Sequence, residues 1–288
     1  MIVERKGPVV IATLNRPDTR NAITEIAYSE EIAEFCASMT RDLTVRAIVL
    51  TGAGSAFCAG GNVHHMAERK GMFAGAPFAL RNTYRTGIQM IPTALYELEV
   101  PVVAAVNGPA VGAGLDLACM CDIRIASSRA RFAESFVKLG IVPGDGGAWL
   151  LPRIIGMARA SLLTLTGDMI DAATALDYGL VAEVVPPEEV LPRAIEIAEA
   201  IAANPGHATR LAKRLLREGQ DMKLAPLLEL SAAYQALAHH TFDHGEAVAA
   251  FSRVARSCLS RRIAGVQTVR AGGWVARQAQ TRRARVAP

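Results

Sequence analysis

The chain has 288 residues, 51% of them apolar, enough for a sizeable core arranged as one large domain or two smaller ones. No run of about 18 apolar residues occurs, so no membrane-spanning helix is expected, and five scattered cysteines, an odd number, argue against a disulfide framework and for a reducing cytoplasm. The net charge of +4 is unevenly spread: nine arginines and no acid follow Glu246, and without them 22 basic residues face 27 acidic ones, so the body is mildly acidic and no nucleic-acid or membrane partner is expected.

The first apolar run, Val9 to Leu14, comes so early that it leaves no room for a secretory leader, and it reads as a strand. A helix follows over Glu25 to Met39, then a strand over Ala47 to Thr51. That strand runs into the glycine-rich segment Gly52-Ala53-Gly54-Ser55-Ala56-Phe57-Cys58-Ala59-Gly60-Gly61-Asn62. Gly71, Gly75 and Pro77 predict irregular backbone before a helical pattern over Leu80 to Leu98. A third strand, Val102 to Val106, leads into the second such segment, Asn107-Gly108-Pro109-Ala110-Val111-Gly112-Ala113-Gly114-Leu115-Asp116, and Ile123 to Ile125 reads as a fourth. From about Ala158 the pattern is mostly helical: Ala158 to Thr166, Ala172 to Tyr178, Pro187 to Ala203, Ala208 to Arg217 and Ala225 to His240, with Leu180 to Val185 as a strand candidate. The alternation of strand and helix in the first part predicts a layered α/β core with a largely parallel sheet. The arginine-rich tail from Ser252 shows no clear helical period and is expected to be poorly ordered.

Small residues just past a strand end let a ligand approach free backbone N–H groups. Two such groups aimed at one carbonyl oxygen form an oxyanion hole, and Asp116 sits one turn into the second segment, where a helix would begin. The chain resembles the crotonase family, also called enoyl-CoA hydratase/isomerase. The matching residues are Leu14-Asn15-Arg16-Pro17 with Asn21-Ala22, Phe57 to Asn62, Pro101 to Asp122, Leu139 to Gly144, Leu165-Thr166-Gly167 and Gly179-Leu180-Val181, all in order, over roughly residues 1 to 251. The resemblance implies a β–β–α spiral core with an acyl-CoA site over residues 1–200, a helical trimerisation region over 201–251, and the tail over 252–288. It implies a homotrimer or homohexamer, an acyl-CoA thioester as substrate, and no cofactor beyond the coenzyme A that the substrate carries. In the family, the region between the two glycine segments shapes the acyl pocket. A solvent loop is the competing reading, against which stands the apolar character of Met72, Phe73, Phe78 and Met90.

The resemblance places the two oxyanion donors on Gly61 and Ala113. Asp116 falls where hydratases carry a glutamate that activates water, and the competing reading is an acid that complements a helix N-terminus. The second hydratase carboxylate falls on Phe136, which weakens the isomerase reading as well, since many isomerases use the same position. Glu134, two residues away, would share the face of Phe136 on a strand but lie about 200° around on a helix. Asp145, in Pro143-Gly144-Asp145-Gly146-Gly147, lies one residue beyond a catalytic aspartate of other crotonases, and could instead cap the next helix. Arg20 and His64 fall where relatives face the CoA phosphates, Ala22 and Ala59 where backbone surrounds the adenine, and Asn62 and Val63 complete this substrate-binding stretch. The histidines lack metal spacing, and no metal is expected. Hydration of a 2-enoyl-CoA with Asp116 as base is the expected activity. Isomerisation, thioester hydrolysis or acyl-CoA binding without chemistry are the alternatives. A dinucleotide-binding oxidoreductase lacks the third glycine of its fingerprint and the acid at the next strand end, and a serine hydrolase lacks a serine–histidine pair.

Overall fold

The computed structural model describes residues 1–263, with side chains through residue 252. In chain order, β1 (Ile2–Lys6) and β2 (Val9–Leu14) form a hairpin, α1 (Ile26–Arg41) follows, and β3 (Ala47–Gly52) returns to the sheet. Next come the short α2 (Val63–Ala67), α3 (Pro77–Thr86), α4 (Met90–Glu97), β4 (Val102–Val106), the two-residue β5 (Ala110–Val111) and α5 (Ala113–Met120). Then follow β6 (Ile123–Ser127), β7 (Arg131–Ala133), α6 (Gly147–Ile155), α7 (Met157–Thr166), β8 (Met169–Asp171), α8 (Ala172–Asp177) and β9 (Glu183–Val185). The rest is helical: α9 (Val190–Ala202), α10 (Gly206–Glu218), α11 (Leu224–His239) and α12 (Phe242–Ile263). This mixed α/β architecture with a helical C-terminal region agrees with the fold the sequence led us to expect.

The main sheet has the order β1-β2-β3-β4-β6-β9, antiparallel only between β1 and β2. Its central strands are buried on both faces, which is why they read as continuous apolar runs. Alternation still sorts them. Val10, Ala12, Leu14, Ile48, Leu50, Val102, Ala104 and Val106 face the large core, whereas Val9, Ile11, Ala47, Val49, Val103 and Ala105 face the other way. The second face is covered by α9, whose Val190, Ala194, Ala198 and Ala202 recur every four residues and form one stripe. The smaller sheet, β5-β7-β8, stands beside the start of α5.

Several elements differ from expectation. β1 is exposed along its whole length, so no apolar pattern marks it, and its pairing with β2 defines it instead. The helix expected over Leu80 to Leu98 breaks in two at Gly87. α10 is anchored to the strands and helices before it: Arg210 donates to the carbonyls of Met39, Thr40, Asp42 and Val45, and Lys213 to that of Val100. α12 continues to Ile263, past the expected start of a loose tail at Ser252. No glycine or proline occurs from Glu246 to Ile263, and alanine and arginine are good helix formers. The remainder of the tail, 264–288, lies outside the described residues. Among the described residues no helix is long and apolar enough to cross a membrane.

Candidate active site

Both glycine segments leave the same end of adjacent parallel strands, β3 and β4. They are laced together: Phe57 and Cys58 N–H donate to the Pro109 carbonyl at 3.1 and 3.2 Å, Val111 N–H donates to Cys58 at 3.1 Å, and Cys58 bridges Ala110 in parallel. The approach is close enough to require glycine. A Cβ on Gly114 would sit 1.9 Å from the Cys58 carbonyl oxygen, and one on Gly60 would sit 2.3 Å from that of Val111 and 3.2 Å from the Ala113 nitrogen. The backbone of Gly60-Gly61 is thereby held against the first turn of α5. Among the described residues, neither the Gly61 nor the Ala113 N–H donates to a protein acceptor.

Asn21 fixes the outer side of this arrangement. Fully buried, it sends its amide Nδ2 to the carbonyls of Ala53 and Ala56, each at 2.9 Å, and of Phe57 at 3.2 Å, while its Oδ1 accepts from Arg16 N–H. The same turn places Arg20 and Ala22 beside Ala59: Ala59 N–H donates to the Arg20 carbonyl at 2.9 Å, and Ile23 N–H to that of Gly60 at 3.0 Å. Asn62 caps α2, its side chain accepting from His64 and His65 N–H. The side chains of Arg20, Val63 and His64 are exposed. Thus Arg20, Ala22, Ala59, Gly61, Asn62, Val63 and His64 lie along one continuous surface stretch, and Gly61 joins it to Ala113.

On the inner side, three acids meet. Asp116 projects from α5, Glu134 from the turn between β7 and a short 3-10 segment over Ser135–Leu139, and Asp145 from the loop before α6. Asp116 and Glu134 are fully buried and Asp145 is 3% exposed. A Cβ added at Gly147 would lie 2.0 Å from Asp116 Oδ1 and 2.5 Å from Glu134 Oε1, so the two carboxyls crowd the same point at the start of α6. Among the described residues, no donor partner reaches either oxygen of Asp116 or of Glu134, nor Oδ1 of Asp145, within hydrogen-bond geometry. Asp145 does not cap α6: that place is taken by Gly146, in the left-handed region, without a side-chain bond.

Burial sets the electrostatics. It holds the Asp116 carboxyl well above the ordinary carboxylate range, Glu134 and Asp145 add to the effect, and the nearby Gly147 N–H opposes it weakly. Glu134 is raised for the same first reason. Asp145 is raised less, to about 6, again by burial. No lysine or arginine acts on any of the three. At neutral pH the arrangement therefore offers one mostly ionised carboxylate, Asp145, beside carboxyls that hold protons.

Phe136, the place where a second hydratase acid would stand, is buried with its ring 3.7 to 3.9 Å from a Cβ position on Gly112, directly before Ala113. It dries the wall next to the two free N–H groups. Glu134 belongs to neither a strand nor a helix, so both readings of its direction from the sequence missed it. Its signal was there nonetheless: a lone acid inside Phe132-Ala133-Glu134-Ser135-Phe136. Tyr84 of α3 also reaches the loop, its ring 3.3 Å from a Cβ position on Gly144, and Gln89 Nε2 donates to the Gly144 carbonyl at 2.8 Å.

Comparison with known proteins agrees with this arrangement. Residues 4–253 match the Enoyl-CoA hydratase/isomerase family. The chain is 37% identical over 252 residues to the short-chain-enoyl-CoA hydratase of Clostridium acetobutylicum, covering 87% of this chain and 94% of that one. It is 36% identical over 244 residues to the 1,2-epoxyphenylacetyl-CoA isomerase of Escherichia coli, covering 84% and 91%. The crystal structure of enoyl-CoA hydratase from Bacillus anthracis superposes with a TM-score of 0.81 at 35% identity, covering 88% of this chain and 95% of that one. With the family match spanning nearly the whole body and the fold shared along its length, the chain belongs to the enoyl-CoA hydratase/isomerase family.

Proposed function

We propose that this chain adds water to a 2-enoyl-CoA thioester. The observation that supports this most directly is that α5 carries the unengaged Ala113 N–H and, one turn on, the buried Asp116, while the unengaged Gly61 N–H lies on the neighbouring glycine segment. The thioester carbonyl oxygen accepts from both N–H groups. Water attacks C3 while Asp145, ionised, takes its proton. The C2–C3 π pair moves toward the carbonyl, and the negative charge that develops on the oxygen is stabilised by the two donors, one of them at the favourable end of the α5 dipole. C2 then takes a proton from the Asp116 carboxyl, and proton transfer from Asp145 restores the starting state. Asp116 was the base expected from sequence, but full burial without a cation makes it the acid in this scheme and leaves Asp145 as the base.

Arg20 and His64, exposed beside the Ala22 and Ala59 backbone, are placed to meet the CoA phosphates, and coenzyme A enters only as part of the substrate. Self-association fits α11, which has no buried residue and leaves Leu224, Leu228 and Leu237 more than half exposed. Covering that helix with a second and third copy is the reading we adopt, and sedimentation at micromolar concentration should show a multiple of three chains. The activity is tested by incubating the protein with crotonyl-CoA, a 3-enoyl-CoA and a saturated acyl-CoA and identifying the products by mass. A gain of water on the first alone supports hydration. Double-bond migration in the second, or release of free CoA from the third, assigns isomerisation or hydrolysis instead.

A further inference from the structure

Glu134 is unused by the scheme above, yet it is a fully buried acid with no donor partner, packed against the acid that delivers the proton. We infer that Glu134 and Asp116 form a buried carboxyl pair, both protonated at rest and sharing the one remaining proton after Asp116 has delivered its own, and that Glu134 is the positioning residue that keeps Asp116 protonated. The geometry carries this. Oδ1 of Asp116 and Oε1 of Glu134 both lie within 2.5 Å of one point, the missing Cβ of Gly147. Two ionised carboxylates cannot share that space in a dry interior. A proton between them supplies a hydrogen bond that no other side chain in the surroundings offers.

The surroundings leave little else to set the charge. α5 adds Cys119, a buried thiol, and the loop before α6 adds Asp145, a like charge. Arg124 of β6 acts on Cys119 and is spent on the carbonyls of Ala118, Cys121 and Leu180. Arg153 of α6 stacks on Trp149 and pairs with Asp221. Lys138 pairs with Asp168, and Arg159 of α7 with Asp177 of α8. Asp171 of β8 caps α8 by accepting from Thr174 N–H. None of these reaches the pair. Burial and like charge favour the protonated state of both acids, as the direction of both shifts agrees.

The pairing itself stands without the hydration scheme; its role in proton delivery rests on that scheme. The experiment therefore has two arms. Infrared difference spectra of the free protein, titrated across neutral pH, read the carbonyl stretch of a protonated carboxyl. The wild type and the Asp145→Asn variant should retain that band at pH 7, whereas in Glu134→Gln and Asp116→Asn, where the remaining acid loses its partner carboxyl and gains an amide donor, the band should disappear at a pH lower by about one unit or more than in the wild type. The second arm is the pH profile of crotonyl-CoA turnover. In Glu134→Gln the high-pH limb should move down by about one unit or more with KM little changed. A role confined to packing would lower kcat without moving that limb. If both amide variants lose the band at the wild-type pH, or if Glu134→Gln keeps the wild-type limb, the pairing is overturned. If crotonyl-CoA is not turned over at all, the infrared arm alone decides it.

Discussion

Gly147 is the residue on which the geometry of the acids depends, and replacing it with alanine tests that geometry with one methyl group. The new Cβ would lie 2.0 Å from Asp116 Oδ1, where real Cβ contacts do not fall below 3.0 Å. Asp116 must therefore retreat by about 1 Å, and Glu134 by about half as much. Neither has free space, since both are fully buried. A shift of about 1 Å in a reacting group costs on the order of 10²-fold in rate, about 3 kcal/mol of barrier. The effect on stability should be smaller. Overpacking costs about 1–3 kcal/mol, offset by up to about 1 kcal/mol from alanine's helix propensity at the first residue of α6. The assay is hydration of crotonyl-CoA, followed by loss of the conjugated thioester absorbance, alongside thermal unfolding. Gly245→Ala serves as a control, because nothing lies within 4 Å of that Cβ position. The expected result is a fall of about 10²-fold in kcat with a Tm change of only a few degrees. A folded Gly147→Ala protein with kcat within about twofold of wild type would refute the crowding on which both the scheme and the shared proton rest.

Because Asp145 must be ionised to take a proton, kcat/KM should rise with pH through about 6, and Asp145→Asn should abolish that limb together with at least about 10²-fold of the rate. The same group makes stability pH-dependent: between its ordinary 3.8 and about 6 the folded chain holds a proton the unfolded chain has released, so stability falls as pH rises through that window. Asp145→Asn should flatten this slope and raise stability at neutral pH by on the order of 3 kcal/mol, measured by urea unfolding at several pH values. Gly61→Pro removes one donor outright and should cost about 10²–10³-fold in turnover; a folded variant with normal activity would rule out the two-donor hole.

Much of the framework could be read without coordinates because the parallel strands are doubly buried. Val9–Leu14 and Val102–Val106 are bounded in the structure as their apolar runs suggest, and the glycine segments mark where β3 and β4 end. What escaped was whatever lacks a periodic signal. β1 carries its information in pairing partners rather than in burial, and β5, β7 and β8 are too short for alternation to show. The site followed the same division. Asp116 and Asp145 stood out by motif, but their burial, on which the proposed assignment of acid and base rests, is encoded by no local pattern. Glu134 needed the direction of a turn: as strand or as helix it points elsewhere, and only its approach to Gly147, thirteen positions on, reveals the contact.

The Asn21 side chain makes the path of the donor loop depend on the polarity of one atom. One NH2 group draws in three carbonyl oxygens, those of Ala53, Ala56 and Phe57, and so sets the path of the chain just before the Gly60-Gly61 donor. Replacing that amide by a carboxylate would keep one oxygen on Arg16 N–H and set the other against three carbonyls of the same polarity. Such a change would spread the loop that presents Gly61. Asn21→Asp should therefore cost stability as well as turnover, because the new charge is fully buried.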